Sequence, residues 1–123
     1  MKYLITGGAG FIGIKLTERL IKNKKNKIYI VDNLSKKTGN ESLLNLLKNK
    51  NVKLIQKDLN HISDYLKILN FDYIYHFAAI LGVKNVIDNP LTTLKENILT
   101  TINLVNFAKK QKKLKKICFT STS

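Results

Sequence analysis

Residues 6–13 read TGGAGFIG, and this stretch restricts the fold more than any other. It follows an apolar strand candidate, KYLIT at 2–6. It leads into FIGIKLTERLIKN at 11–23, where Ile12, Leu16, Leu20 and Ile21 fall on one helical face. A strand that turns through glycines directly into a helix reads as the opening of a βαβ unit. Glycine has no Cβ, so a ligand can approach the backbone closely. The first helical turn adds unpaired N–H groups and the positive end of a dipole. Gly13 lets the helix lie close on the strand. Asp32 ends the second strand candidate, KIYIVD at 27–32, and stands 19 residues after Gly13. The combination predicts a dinucleotide site, with a diphosphate at the turn and ribose hydroxyls at Asp32. A carboxylate there repels a 2′-phosphate, which favours NAD over NADP. A plain tight turn and an Asp bonded to its own loop are the alternatives, and neither accounts for the spacing.

The rest of the chain repeats the alternation. Helix is predicted at ESLLNLLKN (41–49) after a polar loop at 33–40, then strand at VKLIQKD (52–58). HISDYLKIL (61–69) reads as a helix with Ile62, Leu66 and Leu69 on one side, and DYIYHFAA (72–79) as a fourth strand running into a small-residue loop. Pro90 suits a first helical turn, and the helix from Leu91 to Lys110 would be about 30 Å long. Leu94, Ile98, Ile102, Val105 and Ala108 or Lys109 keep a stripe along it at the helical period. Ile117, Cys118 and Phe119 form a fifth strand, expected to be buried, whose tip is the hydroxyl run Thr120–Ser123. Strands alternating with helices imply a parallel sheet with right-handed crossovers. The expected fold is α/β, a Rossmann-type doubly wound sheet in order 3-2-1-4-5, with residues 1–123 as one dinucleotide-binding domain.

A charge of +14 raises nucleic acid as a partner. Every basic residue except Arg19 is a lysine, however, and Asn and Ile are abundant too. Readers of nucleic acid rely on the planar fork of arginine, and no aromatic is interleaved among Lys109, Lys110, Lys112, Lys113, Lys115 and Lys116. Those lysines suit a solvated helix terminus. No nucleic-acid partner, membrane span or metal site is expected. A lone cysteine, Cys118, is read as a small buried hydrophobe in a reducing, cytoplasmic compartment.

In the form TGGAGFIG, with Gly7, Gly10 and Gly13 spaced by three, the turn resembles that of the extended short-chain dehydrogenase/reductase family of NAD-dependent nucleotide-sugar epimerases and dehydratases. VDNLS (31–35) resembles the family's segment around the adenosine ribose, and KDL (57–59) the one whose Asp lies beside adenine. YHFAA (75–79) resembles its His-x-Ala-Ala strand end, and NP followed seven residues later by Asn97 resembles its Pro…Asn helix. The resemblance implies that NAD meets the turn at Gly7, Gly10, Phe11, Ile12 and Gly13, and the ribose segment at Asp32, Asn33 and Ser35. Beyond these it implies contact at Asp58 and Leu59, at Phe77, Ala78 and Ala79, and at Asn97. FTSTS matches the segment that delivers a hydroxyl beside the sugar 4-hydroxyl, which implies that Thr122 is catalytic, with Ser123 next to it.

Two departures matter. No tyrosine here has a lysine four residues on, so the family's Tyr-x-x-x-Lys base is absent, and Thr100 stands where a glycine is usual. The chain is therefore expected to be the amino-terminal part of a longer enzyme, inactive alone, ending between two halves of an active site. The parent is expected to be a homodimer acting on a UDP- or dTDP-linked sugar through transient oxidation at C4, as epimerase, dehydratase or decarboxylase. A non-catalytic dinucleotide-binding fragment is the alternative. Strand five is expected to be an unprotected edge that promotes association.

Overall fold

Strand β1 (Lys2–Thr6) is central because its side chains alternate between two covered faces. Leu4 points into a cluster with Tyr29, Val31, Phe71, Ile74, Leu104 and Phe107. Tyr3 and Ile5 point the other way, to Ile14, Ile28, Ile30, Leu43, Leu46 and Val52. Strand β2 (Lys27–Asp32) alternates likewise, so a near-continuous apolar run is what a sheet buried on both faces requires. This computed structural model describes residues 1–35, 41–66, 70–80 and 82–120.

The five strands are all parallel, and the sheet order is β3-β2-β1-β4-β5, as expected. Strand β3 is Val52–Gln56, β4 is Tyr73–His76 and β5 is Lys116–Phe119. Helix α1 (Phe11–Leu20) and helix α2 (Glu41–Leu47) contribute to one face. Helix α3 (Ile62–Tyr65) and the long helix α5 (Pro90–Lys109) contribute to the other, with Pro90 in the first turn. A single turn of 3-10 helix, Leu59–His61, precedes α3. Helix α4 (Val83–Asp88) occupies a stretch read as loop.

Several details depart from the sequence reading. Helix α1 buries Gly13, Ile14 and Thr17, whereas Ile12 is exposed and Leu16, Leu20 and Ile21 only half-buried. A face containing glycine approaches the sheet more closely than one of bulky residues, and Thr17 satisfies its buried hydroxyl on the Gly13 carbonyl at 2.8 Å. On α5 the inward residues are Thr93, Leu104, Phe107 and Ala108. Leu94, Ile98 and Ile102 are 58%, 48% and 48% exposed. The amino-terminal part of the predicted stripe faces outward, whereas Val105 is half-buried and Ala108 buried. The amino-terminal half of α5 borders a polar cleft, so its inner face is polar and the apolar one turns away. In α3, Ile62 and Leu66 are buried as expected, and Leu69 lies outside the described residues. Cys118 is only half-buried, because β5 is an edge strand.

Candidate functional site

The carboxyl ends of β1, β2 and β4 open on a cleft of about 450 Å³. Its position follows from the topology. The chain leaves β1 toward β2 on one side and later adds β4 on the other, so the loops diverge at the end of β1.

Gly7 forms the floor. Its φ of +65° is a left-handed conformation, and a Cβ there would lie 2.6 Å from the Ala78 nitrogen. Only glycine lets the turn and the β4 loop meet this way. Gly10 also lines the cleft, and Gly10 N–H donates to the Gly7 carbonyl at 3.1 Å. Gly8 instead turns inward, where a Cβ would meet Ile30 and Ile5. Gly7 and Gly10 therefore line the cleft, and Gly8 does not. Gly13 lies under the turn, and a Cβ on it would collide with the backbone of Gly8. Its part is packing rather than lining. Phe11 and Ile12 do not line the cleft either, and the Phe11 side chain is 78% exposed. Gly10, the cap of α1, carries no side chain to bond the first-turn N–H groups. What Phe11 and Ile12 offer is backbone.

Asp32 sits at the end of β2 with both carboxylate oxygens in use. Oδ2 accepts the Ala9 N–H at 3.0 Å and Oδ1 the Leu34 N–H at 2.8 Å. The carboxylate therefore organises its own loop and the glycine turn together, and each oxygen keeps a further lone pair for a hydroxyl. Leu34 follows with φ of 56°, a rare conformation for a branched residue, held while its side chain packs on the core. Asn33 and Ser35 line the cleft and are linked by a 3.0 Å bond from the Ser35 N–H to Asn33 Oδ1.

Asp58 and Leu59 line the wall after β3. Asp58 caps the following turn, accepting the Asn60 N–H at 2.8 Å, while Leu59 is buried in the core. Phe77, Ala78 and Ala79 form the side after β4. Asn97, on α5, clips that loop in place: Oδ1 accepts the Ile80 N–H at 2.7 Å and Nδ2 donates to the Ile80 carbonyl at 3.2 Å.

The cleft thus brings together Gly7, Gly10, Asp32, Asn33, Ser35, Asp58, Leu59, Phe77, Ala78, Ala79 and Asn97. Thr122 and Ser123 lie outside the described residues. Lining residues that sequence reasoning missed are Ala9, Val31, Lys57, Ile80, Glu96 and Thr100. Most contribute backbone or adjoin a recognised residue, so no pattern of their own marks them. Thr100, where a glycine was expected, fits by bonding its hydroxyl to the Glu96 and Asn97 carbonyls at 3.0 and 3.1 Å. Among the described residues no group of His, Cys, Asp or Glu could hold a metal. Burial foremost raises the Tyr3 and Tyr75 hydroxyls above their usual range, and neither residue lines the cleft.

Comparison with known proteins gives a consistent picture. The family profile described as GDP-mannose 4,6 dehydratase matches residues 4–123. UDP-glucuronic acid decarboxylase 3 of Arabidopsis thaliana is 36% identical over 124 residues, covering 100% of this chain and 34% of the relative. A UDP-N-acetyl-alpha-D-glucosaminuronate decarboxylase of Bacillus cytotoxicus is 37% identical, covering 98% of this chain and 36% of its own length. Among solved structures, the UDP-glucuronic acid 4-epimerase of Bacillus cereus, in complex with UDP-glucuronic acid and NAD, superposes with a TM-score of 0.85 at 32% identity. That match covers 100% of this chain and 40% of the epimerase. The chain spans about a third of the length of the curated relatives it matches.

Proposed function

This chain belongs to the GDP-mannose 4,6 dehydratase family of extended short-chain dehydrogenases/reductases, and from that membership we propose that residues 1–123 form the NAD-binding domain of a nucleotide-sugar epimerase, dehydratase or decarboxylase. The observation that carries the reading is the convergence, on one cleft, of a floor with no room for a Cβ, an uncapped helix start and Asp32. These fit a dinucleotide. Gly7, Gly10 and the first-turn N–H groups of Phe11 and Ile12 take the diphosphate, with Gly13 holding the helix close. Asp32, Asn33 and Ser35 take the adenosine ribose, and Asp58 and Leu59 border adenine. Phe77, Ala78, Ala79 and Asn97 line the remainder.

Bound there, NAD supplies a hydride acceptor for transient oxidation at C4 of a UDP- or dTDP-linked sugar. Thr122 hydrogen-bonds the C4 oxygen; the support is the direction of β5, which runs parallel to β4 toward the carboxyl end of the sheet, where the cleft opens. The outward stripe on α5, with Val86 and Ile87 exposed on α4, supports a homodimer. The reading includes no nucleic-acid or membrane partner; its support is that Asp32, Asp58 and Glu96 line the cleft, and no described helix is long and apolar enough to cross a membrane. The compartment is the cytoplasm, in keeping with a single free cysteine.

Calorimetric titration with NAD tests the assignment. Asp32→Ala is expected to weaken binding about tenfold or more, since hydrogen bonds to a charged group are lost, and NADP should bind more weakly than NAD. Equal affinity for NAD in both proteins would sink the role given to Asp32.

A further inference from the structure

His76, buried at the end of β4 just before the cleft-lining residues 77–80, joins three elements. Its Nδ1 lies 2.6 Å from the Thr6 hydroxyl on β1, and its Nε2 lies 3.4 Å from the Thr101 hydroxyl on α5. Two further bonds decide who donates. Thr101 gives its only proton to the Asn97 carbonyl at 2.8 Å, so toward His76 it accepts, and Nε2 carries the imidazole proton. Nδ1 is then a bare acceptor for the Thr6 O–H, and Thr6 Oγ1 is free to accept the Ala78 N–H at 3.4 Å. One unbroken chain results: Ala78 N–H to Thr6, Thr6 to His76, His76 to Thr101, Thr101 to Asn97. Asn97 in turn clips Ile80. The His76 carbonyl also accepts the Thr120 N–H and hydroxyl, both at 3.4 Å, and its ring meets Phe119 edge-on at 5.3 Å.

We propose that His76, as the Nε2–H tautomer, is the positioning residue that ties the 77–80 loop to α5 and to the end of β5. A proton added at Nδ1 would face the Thr6 hydroxyl, which would have to reverse and lose its acceptor. The groups meeting the ring, Thr6, Thr101 and Phe119, are uncharged. Glu96, the α5 carboxylate at the cleft, is bonded to Asn60 Nδ2 at 3.2 Å, and Cys118 on β5 stands opposite Tyr75. Burial alone lowers the His76 pKa, in keeping with a ring kept neutral.

Nitrogen NMR of the imidazole reads the tautomer directly. Protonated Nε2 with bare Nδ1 is expected, and protonated Nδ1 would overturn the proposal. Amide exchange supplies a second readout through two mild variants, Thr101→Val and His76→Asn. Exchange at Ile80 is expected to quicken about tenfold relative to Ile30 in both; unchanged Ile80 protection in both would also overturn it. The last arm rests on the NAD reading. In the unmodified chain NAD affinity should fall as the pH drops through the His76 titration seen by NMR, and this dependence should vanish in His76→Asn. An identical pH profile in the two proteins counts against positioning by His76. Absence of NAD binding together with the expected tautomer and exchange would reject the NAD reading and leave the positioning role standing.

Discussion

At Gly7 a single hydrogen in place of a side chain decides whether the cleft exists. Gly7→Ala combines a positive φ with a Cβ 2.6 Å from the Ala78 nitrogen, and a strained backbone of this kind costs about 1–3 kcal/mol. Urea unfolding should show that loss, and NAD binding should fall with it; a variant as stable as the parent would mean that the two loops are not in contact. His76 makes a second prediction at this scale. Its folded pKa lies below the ordinary value of about 6.5. The stability it contributes is therefore full above that value and is lost as the pH falls through the lowered folded pKa. His76→Asn should flatten that part of the stability profile, which thermal melts across the acid range can follow. The glycine spacing and Asp32 were readable in the sequence because one local turn imposes both. His76 was visible only as a letter in YHFAA. Its partners lie 70 residues upstream at Thr6 and 25 downstream at Thr101, and no local spacing links them.

Helix α5 shows why an element can be foreseen while its orientation is not. Pro90 and the helical period mark its existence and start, but two faces compete for the core. The sheet takes Leu104, Phe107 and Ala108 at the carboxyl-terminal half. At the other half the cleft takes Asn97 and Thr100 and the His76 network takes Thr101, which leaves Leu94, Ile98 and Ile102 outside. Apolar periodicity cannot separate a face meant for the core from one meant for another surface. The two faces should respond differently. Leu104→Ala is expected to cost about 2–5 kcal/mol of folding stability. Ile98→Asn should change the stability of dilute protein by less than about 0.5 kcal/mol while lowering its sedimentation coefficient at high concentration. The opposite ranking of the two stabilities would show that the helix is turned the other way. Helix α1 follows the same logic on a smaller scale, since Gly13 and not Ile12 faces the sheet.

For the molecule as a whole, the alternation of strand and helix was enough to yield the sheet order, because parallel strands with right-handed crossovers leave few arrangements. It could not yield α4, whose sequence, VKNVID, lacks a long period. Strand β5 is an edge with Phe119 48% exposed, in line with the expected tendency to associate. Net charge is a property of this scale too. The protein carries +14 overall, yet among the described residues Asp32, Asp58 and Glu96 line the cleft, with Lys57 the one basic residue there. The proposed reading has the dinucleotide held by backbone N–H groups and ribose bonds, and not by general attraction to phosphate. Mapping amide chemical shifts during addition of NAD tests this most directly. The account predicts large changes at Gly10, Phe11, Ile12, Asp32, Asp58 and Ala78, with little change at Lys24, Lys25 and Lys113 near the amino-terminal ends of the strands. Changes confined to those lysines, with the glycine turn unmoved, would contradict it.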